Sequence, residues 1–357
     1  MKFLQFSDLH ISEAEKAYSF QILDELLNIA NTESVDALFL CGDIFDTYSD
    51  FVALRHEFVK KMESASAEVF FLPGNHEGLR RPDKHTRYQM FDWGKKIRLL
   101  DEEPYHFIYL NEKIEIFGIP HSQSYTQLLN ISIPEKKAKW RIGLAHATVL
   151  NMSYTGPKEE VEEGGGLLDP ALFQKLNMDF VAIGHIHSSR SQSFGKLEVC
   201  YAGSSRVWRK GEFGARFCVL IQVNEQGISK KYLPIQSAGQ FYELNIELDL
   251  NGKAKSEADL NLDQYGKSDY LLVHWNGVVE SNQEKQNYEI ALKSKYKDRI
   301  RLLEFDDQKV KTVPDISENV AIRQFIQIID QKKEELGSSW ALTKQLGIEL
   351  LLNEVTK

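Results

Sequence analysis

The sequence predicts an α/β protein with two packed β-sheets and outer helices, followed by a smaller α/β unit and C-terminal helices. Three observations predict this class. Short β-branched or aromatic runs alternate with amphipathic stretches at the start of the chain, later strand-like runs follow one another with few helices between them, and the pattern changes near residue 240. Together they favour two sheets over a single doubly wound sheet.

The first elements predict a β–α–β–α–β series. The strand-like runs "KFLQF", "DALFLCGD" and "EVFFLPGN" are separated by the helical stretches "AYSFQILDELLNIA" and "FVALRHEFVKKM". Each helical stretch places four apolar residues on one face, namely Phe20, Leu23, Leu27 and Ala30 in the first and Phe51, Leu54, Phe58 and Met62 in the second. Alternating strands and helices predict a largely parallel sheet.

The later runs "KIEIFGIP", "WRIGLAHA", "DFVAIGHIH", "LEVCYAGS" and "ARFCVLIQV" have fewer helices between them and predict a more meandering sheet in this part of the chain, so that two packed sheets are expected. From "FYELNIELDL" onward, "YLLVHWNG", a helical stretch around 284 to 295 and "RIRLLEF" predict a β–β–α–β unit. Two amphipathic helices separated by "GSS" end the chain, with Ser317 as an expected N-cap. We therefore expect domains at 1–238 and 239–312, and a helical tail at 313–357.

Composition places the chain among ordinary globular proteins. It has 357 residues, 42% hydrophobic and 27% charged, with a formal net charge of −9. The negative charge argues mildly against a surface coated in DNA-binding charge but leaves room for a local basic groove. With no apolar run near the roughly 20 residues of a membrane helix, and no signal-peptide pattern, we expect a cytoplasmic protein without membrane contact. Cys41, Cys200 and Cys218 are expected in the core.

Polar residues able to bind metal directly follow five apolar runs of the first domain. They are Asp8 and His10, Asp43 and Asp46, Asn75 and His76, His146, and His185 and His187. Each one alone is ordinarily a helix cap, a turn residue or a hydrogen-bonded core histidine. Five such strand ends in one domain instead favour one shared site, because open α/β sheets place their sites at the carboxyl edge of the strands.

The donor set indicates which metals the site would take. Oxygen and imidazole donors without thiolate suit Mn²⁺, Fe²⁺ or Zn²⁺, and there are more donors than one ion needs. Two ions bridged by one carboxylate can activate water and clamp a phosphoester. Asp43 is the central carboxylate and hence the expected bridge, while His76 remains for stabilising the transition state or protonating the leaving oxygen.

The series "DLH", "GDIFD", "GNHE", "AHA" and "GHIH" resembles the pattern of the calcineurin-like metallophosphoesterases over about residues 1 to 220. The resemblance implies their four-layer fold of two sheets flanked by helices, with a dinuclear centre. It implies one metal at Asp8, His10, Asp43 and His187, and a second at Asp43, Asn75, His146 and His185. It also implies that His76 is the catalytic histidine and that Asp46 orients it.

Within that family, "FSDLH", "GDIFDT", "LPGNHE", "AIGHIH" and "YAGSSR" are similar to the SbcD-type DNA double-strand-break repair exonucleases. The similarity implies a Mn²⁺-dependent DNA exonuclease with single-strand or hairpin endonuclease activity, which acts with an SbcC-like ATPase and can form a homodimer. Leu9, Glu77 and Ala202 depart from the subfamily pattern, and none of them is expected to touch a ligand. Some branches carry His at the position of Asp46.

Several alternatives stay open at this point. Phosphates of DNA are expected to meet basic residues near the sheet edge, namely Arg80, Arg81, Arg190, Arg206, Arg209 and Lys210. The helical tail could either bind the ATPase or pack on the small α/β domain at 239–312, which we call the cap. The residues expected to form that face are Ile322, Phe325, Ile329, Trp340, Leu346 and Leu350. The rival functions are a calcineurin-like phosphatase or cyclic nucleotide phosphodiesterase, and a non-catalytic scaffold.

Overall fold

The structure is a computed structural model that describes residues 1–78, 91–121, 125, 128, 131–152 and 166–355. The described chain divides into two compact units, Met1–Gln240 and Phe241–Lys357. The expected separation of residues 313–357 from the cap stays a prediction, although those helices share a hydrophobic cluster with cap residues Leu250 and Val278.

The elements of the first unit follow the predicted order. The strands are β1 (Lys2–Phe6), β2 (Ala37–Cys41), β3 (Glu68–Leu72), β4 (Ile97–Leu99), β5 (His106–Tyr109), β6 (Ile114–Ile119), β7 (Trp140–His146), β8 (Thr148–Val149), β9 (Leu167–Leu168), β10 (Phe180–Gly184), β11 (Arg190–Phe194), β12 (Leu197–Tyr201), β13 (Phe217–Val223) and β14 (Ile228–Pro234). The helices are α1 (Lys16–Glu33), α2 (Tyr48–Ser64), α3 (Asn75–Gly78) and α4 (Pro170–Lys175), with a 3₁₀ turn at Gln236–Ala238.

The first sheet has the order β14-β13-β1-β2-β3-β4. Strands β1 to β4 are parallel to one another, as the alternation of strands and helices predicts, and β13 and β14 add antiparallel partners at the β1 side. The predicted inner faces of α1 and α2, including Leu23 and Phe58, are buried against this sheet. The apolar periodicity of the two helices therefore predicts correctly which face each helix buries.

The second sheet has the order β11-β12-β10-β7-β6-β5. Its four central strands, β12, β10, β7 and β6, run parallel, and only the outer strands β11 and β5 are antiparallel to their neighbours. The prediction of a meander is therefore wrong for this sheet. Strands that are neighbours in the sequence do pair in β5–β6, β6–β7 and β11–β12, but the parallel pairs β6–β7, β7–β10 and β10–β12 need crossover connections that the scarcity of helices did not predict.

The two sheets pack face to face in a four-layer arrangement. Between the sheets, Phe3, Phe39 and Phe70 of the first sheet meet Leu144 and Ala182 of the second in one buried cluster. A second cluster joins the outer face of the first sheet to α1 and α2, and a third joins the outer face of the second sheet to α4. All three cysteines are free and buried, as expected.

The second unit contains the predicted β–β–α–β series. Its elements are β15 (Phe241–Leu248), β16 (Tyr270–Val279), α5 (Asn282–Tyr296) and β17 (Leu302–Thr312), with a 3₁₀ turn at Leu262–Gln264. The three strands are parallel in the order β15-β16-β17. Trp275 is fully buried in their core and stacks on Phe305 with ring centroids 5.2 Å apart.

The C-terminal helices are α6 (Val313–Ile316), α7 (Val320–Gln331), α8 (Lys333–Leu336) and α9 (Trp340–Val355), with a 3₁₀ turn at Gly337–Ser339. The N-cap of α7 is Asn319, whose side chain accepts hydrogen bonds from the N–H groups of Ala321 and Ile322. Ser317 is not the cap, because its hydroxyl donates back to the carbonyl of Val313. Among the described residues, no helix is long and apolar enough to cross a membrane.

Candidate metal centre

The residues expected to bind metal lie at the carboxyl ends of five strands. Asp8 and His10 follow β1, Asp43 follows β2, Asn75 begins α3 directly after β3, His146 is the last residue of β7, and His185 follows β10. Parallel strands bring these ends to the same edge of each sheet. The strand topology thus brings together side chains that are separated by up to about half the length of the sequence.

Four of these residues have left-handed backbone conformations. The φ angles are +52° at Asp8, +43° at His10, +51° at Asp43 and +96° at His185. Such conformations are unfavourable for residues with a β-carbon, and they persist where the surrounding structure holds them. The concentration of strained backbone at one edge is typical of a functional site.

A turn at His185 separates the two histidines of "GHIH". The strand β10 ends at Gly184, and the positive φ of His185 turns the chain there. Ile186, which lies between the two histidines, is buried. The imidazoles of His185 and His187 belong to different clusters of side chains able to hold metal.

Side chains able to hold metal form three overlapping clusters. They are Asp8, His10 and His187; His10, Asp43 and His76; and Asp43, His146 and His185, and within each cluster the ligand-capable atoms lie within 4.8 Å of one another. Asp43 and His10 each belong to two clusters. The central position of Asp43 is the one required of a bridging carboxylate.

The cluster of Asp43, His146 and His185 also contains Asn75. His146 Nε2 lies 3.1 Å from Asp43 Oδ2 and 2.9 Å from Asn75 Oδ1, while its Nδ1 donates to the carbonyl of Cys41 at 2.8 Å. The same Asn75 oxygen lies 3.1 Å from His185 Nδ1. His185 Nε2 is buried and has no hydrogen-bond partner within the described part of the chain. The Asp43 and Asn75 oxygens together with imidazole nitrogens of His146 and His185 in one buried space fit a metal ion.

The cluster of Asp8, His10 and His187 is closed by a residue that the sequence did not reveal. His10 Nε2 and His187 Nε2 face each other at 3.3 Å, and Asp8 Oδ1 lies 3.8 Å from His187 Nε2. On the other side of the ring, His187 Nδ1 donates to the buried Glu212 carboxylate at 2.5 Å. This bond makes Nε2 the nitrogen that can coordinate a metal. Glu212 lies 25 residues after His187, beyond every recognised motif, so no local signal marks it.

Burial and neighbouring charges set the ionisation of these groups. Burial raises the pKa of Asp8 to about 6 and lowers the pKa of His10 and of His185 well below its usual range. For His146, burial lowers the pKa, but the charge and hydrogen bond of Asp43, together with the charge of Asp8 and the Cys41 carbonyl, raise it to about 9. Burial raises the pKa of Asp43, but the charge and hydrogen bond of His146 hold it well below its usual range. A divalent ion replaces the proton of such a pair when it binds.

His76 lies beside the centre, with its side chain 13% exposed. Its Nδ1 donates to the backbone carbonyl of Asp46 at 2.7 Å, whereas the Asp46 carboxylate is 3.9 Å away. That carboxylate lies closer to His10 Nδ1, at 3.3 Å. The peptide group of Asp46 therefore orients His76, and the Asp46 side chain faces a predicted metal ligand. The expectation that Asp46 orients a catalytic His76 stays a prediction, and the contact that would serve it is the backbone carbonyl of Asp46.

Glycines make the close approach of these loops possible. Gly42 has a φ of +88°, and a β-carbon built on it would lie 2.2 Å from His146 Nδ1. A β-carbon on Gly74 would lie 2.2 Å from Asp43 Oδ1. The glycines of "GDIFD" and "GNHE" are thus required by the contact between the Asp43 loop and its neighbours.

The basic residues expected to contact DNA have different positions. Arg206 is buried, and its guanidinium donates to the carbonyl of His10 at 2.9 Å and pairs with Glu15. This corrects the prediction for Arg206, because a guanidinium enclosed by protein offers nothing to a DNA phosphate. Arg190 and Arg209 are half-buried and Lys210 is exposed. Arg80 and Arg81 lie outside the described residues.

Comparison with known proteins agrees with this geometry. The model of the calcineurin-like phosphoesterase family matches residues 1–189, which contain all seven predicted metal ligands. Curated relatives are similar at low identity. The DNA double-strand break repair protein Mre11 of Saccharolobus solfataricus is 24% identical over 228 residues, which are 59% of this chain and 56% of that protein.

Two further relatives differ in their stated activity. The SbcD component of the nuclease SbcCD of Bacillus subtilis is 21% identical over 253 residues, covering 60% of this chain and 64% of that protein. The 3',5'-cyclic adenosine monophosphate phosphodiesterase CpdA of Haemophilus influenzae is 24% identical over 211 residues, covering 56% and 74%. The match spans little more than half the length of the first relative. The matched family model covers more than half of this chain, so the protein belongs to the calcineurin-like phosphoesterase family.

Proposed function

We propose that this phosphoesterase is a DNA nuclease that cleaves phosphodiester bonds at a centre of two divalent metal ions. The observation that carries the proposal is the position of Asp43 between the cluster of His146 and His185 and the residues around His10. A carboxylate shared between two groups of imidazoles suits two ions side by side. The ligands would be Asp8, His10, Asp43 and His187 for one ion and Asp43, Asn75, His146 and His185 for the other.

The bound ions would supply Lewis acidity and a nucleophile at neutral pH. The chain supplies the rest. The Cys41 carbonyl and the Glu212 carboxylate fix the rings of His146 and His187 so that Nε2 of each faces the centre. His76 Nδ1 is engaged by the Asp46 carbonyl, so His76 Nε2 is the atom available to give a proton to the leaving oxygen of the substrate.

Mn²⁺ is the metal we expect, with Fe²⁺ or Zn²⁺ also compatible. The clusters contain imidazole, carboxylate and one amide oxygen, and no cysteine belongs to them. Hard oxygen ligands mixed with imidazole suit Mn²⁺ and Fe²⁺, and imidazole also suits Zn²⁺. Metal analysis of the purified protein, followed by reconstitution with each ion, distinguishes them.

DNA is the proposed substrate because two of the relatives are named as a DNA repair protein and a nuclease. The relative named as a cyclic AMP phosphodiesterase makes a small cyclic phosphodiester the second candidate substrate. Both reactions are phosphodiester hydrolysis, so the metal clusters suit either one. The choice between DNA and a small cyclic phosphodiester therefore depends on the size and shape of the substrate. The proposal of a DNA substrate includes a cytoplasmic location.

The deciding experiment compares these substrates on one preparation. The protein with Mn²⁺ is given end-labelled single-stranded, blunt double-stranded and hairpin DNA, and in parallel cyclic AMP and a chromogenic phosphomonoester. We expect DNA cleavage at rates well above hydrolysis of the small substrates. Hydrolysis of cyclic AMP without DNA cleavage would replace the nuclease proposal by the phosphodiesterase. A protein that binds metal but hydrolyses none of these substrates would support the scaffold alternative.

The proposed partner is an SbcC-like ATPase that binds the outer face of α9. Leu342, Leu346 and Leu350 lie at i, i+4 and i+8 on this helix and are 61%, 50% and 68% exposed. The opposite face, with Lys344 and Ile348, is buried within the second unit. A row of exposed leucines on a helix is typical of a face that packs on another helix.

The exposure of the predicted tail residues limits which of them we propose for this partner. Ile322 and Ile329 are buried and Phe325 is partly buried in their own unit. Leu346 and Leu350 remain available on the surface. The two alternatives for the tail are therefore combined in the proposal, since one face packs on the cap and the other is offered to the ATPase. A homodimer remains a prediction from the resemblance.

A further inference from the structure

We propose that residues 204–212, "SSRVWRKGE", form a scaffold that sets the metal affinity of one half of the centre, the cluster of Asp8, His10 and His187. We call these residues the scaffold segment. They lie beyond residues 1–189, the part of the chain that matches the family model. The proposal rests on the dinuclear centre proposed above and is independent of which phosphodiester the centre cuts.

The two serines of the scaffold segment hold the backbone of the loop that carries Asp8. Ser205 donates to the carbonyl of Ser7 from both its N–H, at 3.1 Å, and its hydroxyl, at 2.8 Å. The Ser204 hydroxyl lies 2.9 Å from the carbonyl of Asp8 and 2.6 Å from that of Arg206, and the Ser204 N–H donates to the carbonyl of His187 at 3.0 Å. One dipeptide therefore ties together the two loops whose side chains meet in this cluster.

Arg206 of the scaffold segment holds the backbone of His10, the second predicted ligand of this cluster. Its Nη1 donates to the carbonyl of His10 at 2.9 Å and to Ser19 Oγ at 3.0 Å, and its Nη2 pairs with the Glu15 carboxylate. The guanidinium also lies over the ring of Tyr18, 4.9 Å from its centroid. A buried cation with this many partners is rigid, and it anchors a loop whose His10 has a φ of +43°.

Trp208 covers the imidazole of His10. The two rings are stacked, with centroids 3.9 Å apart and an interplanar angle of 4°. The same indole meets the rings of His76 and His187 edge-on at 5.2 and 5.4 Å. A ligand ring held between its own loop and a flat aromatic surface keeps the orientation that a metal ion requires.

Glu212 fixes the remaining ligand. Its Oε1 accepts from His187 Nδ1 at 2.5 Å, and its Oε2 accepts from the backbone N–H of Trp208 at 2.7 Å. One carboxylate thus couples the orientation of His187 to the position of the indole that stacks on His10. A carboxylate behind a metal-binding imidazole also raises the basicity of the ring, and its loss ordinarily costs 10- to 100-fold in metal affinity.

The other half of the centre is supported by other parts of the chain. His146 bonds to the carbonyl of Cys41, to Asp43 and to Asn75, and His185 bonds to the same Asn75 side chain. These partners are the last residue of β2 and residues that follow β2 and β3. A change in the scaffold segment should therefore act on one metal site and spare the other.

The test is the binding of Mn²⁺ alone to Glu212→Gln, measured by calorimetric titration and electron paramagnetic resonance. We expect two sites in the wild type. In the variant one site should weaken about 10- to 100-fold while the other stays within about threefold. At a Mn²⁺ concentration that fills only the stronger site of the variant, the spectrum should show the six lines of a single Mn²⁺ ion in place of the signal of two spin-coupled ions. The matched control is Glu198→Gln, which removes a carboxylate paired with Lys230, away from the cluster.

A second pair of variants decides the question even if Glu212→Gln fails to fold. Trp208→Phe keeps a ring over His10 and should retain the Mn²⁺ affinity of the site formed by the cluster of Asp8, His10 and His187. Trp208→Leu removes the ring, so the Mn²⁺ affinity of that site should fall. Equal weakening of both sites, or unchanged binding in Glu212→Gln and Trp208→Leu, overturns the proposal. A wild type that binds two ions but cuts no DNA rejects the nuclease alone, while a wild type that binds fewer than two ions rejects both proposals.

Discussion

The Glu77 carboxylate lies beneath the loop of Asp43 and accepts a hydrogen bond from the Asp43 N–H at 3.0 Å. The same carboxylate also accepts from the N–H groups of Ile44, Phe45 and Gly74. Glu77 is fully buried. Although it was expected to touch no ligand, it holds the backbone of the central carboxylate, which stabilises the positive φ there.

We therefore predict that Glu77→Gln destabilises the protein and weakens metal binding. An amide in place of the carboxylate turns an N–H group toward backbone N–H donors, and one unsatisfied buried donor costs about 1–3 kcal/mol. Urea denaturation and metal analysis measure the two effects. The matched control is Glu63→Gln, since Glu63 also accepts from two backbone N–H groups, those of Lys95 and Lys96, but on the surface. An unchanged unfolding midpoint in Glu77→Gln would contradict the prediction.

His76→Ala should abolish most of the phosphodiesterase activity while two metal ions remain bound. Loss of a positioned proton donor ordinarily costs about 10²- to 10⁴-fold in rate. Single-turnover cleavage with Mn²⁺ together with metal analysis tests this. His56→Ala, which removes an exposed histidine of α2, serves as control. Wild-type cleavage by His76→Ala would remove His76 from the catalytic residues.

Asp46→Asn should affect metal binding more than the chemical step. The backbone carbonyl that orients His76 survives this change, whereas the carboxylate 3.3 Å from His10 Nδ1 loses its charge. We expect a rate within about tenfold of the wild type at saturating Mn²⁺, with a several-fold loss of Mn²⁺ affinity. If the rate instead falls as far as in His76→Ala, the side chain of Asp46 and not its carbonyl orients the catalytic histidine.

Arg190→Ala should weaken DNA binding without changing the metal content. Arg190 begins β11, three residues after His187, and its side chain is half-buried at the edge that carries the site. Loss of one phosphate contact should raise the Kd for DNA of every sequence. It should also reduce the slope of log Kd against log salt concentration by about one. Filter binding over a salt series measures both quantities. Arg98→Ala, which removes an exposed arginine paired with Glu68, should leave them unchanged.

The double variant Leu342→Glu and Leu346→Glu should lose ATPase binding and keep its stability. Both side chains are at least half-exposed, so their replacement should change the free energy of unfolding by less than about 0.5 kcal/mol. Co-purification with the ATPase and thermal unfolding test the two statements. Ile290→Glu, at a position 66% exposed on α5, is the control. Retained co-purification would exclude this face as the docking surface. A large drop in the thermal unfolding temperature of the double variant would show that these leucines belong to the core of the second unit.

The convergence of the candidate metal ligands could be predicted from the sequence because their positions follow a simple rule. Asp8, Asp43 and His146 each stand at the end of an apolar strand, and the carboxyl ends of parallel strands meet at one edge. Apolar periodicity likewise predicts the inner faces of α1 and α2. These patterns are local, and local hydrophobic spacing is what a single sequence displays.

Pairing between distant segments was decided only by the tertiary structure. Ser204 meets Asp8 across 196 residues and Arg206 meets His10 across the same separation, so neither contact leaves a periodic trace in the sequence. Arg206 was therefore expected on the surface although it is buried. The order of the second sheet and the buried face of the C-terminal helices were settled in the same way, because each depends on which apolar surface is nearest after folding. By itself the sequence determined which side chains are the candidate metal ligands, and tertiary packing decided what holds them in place.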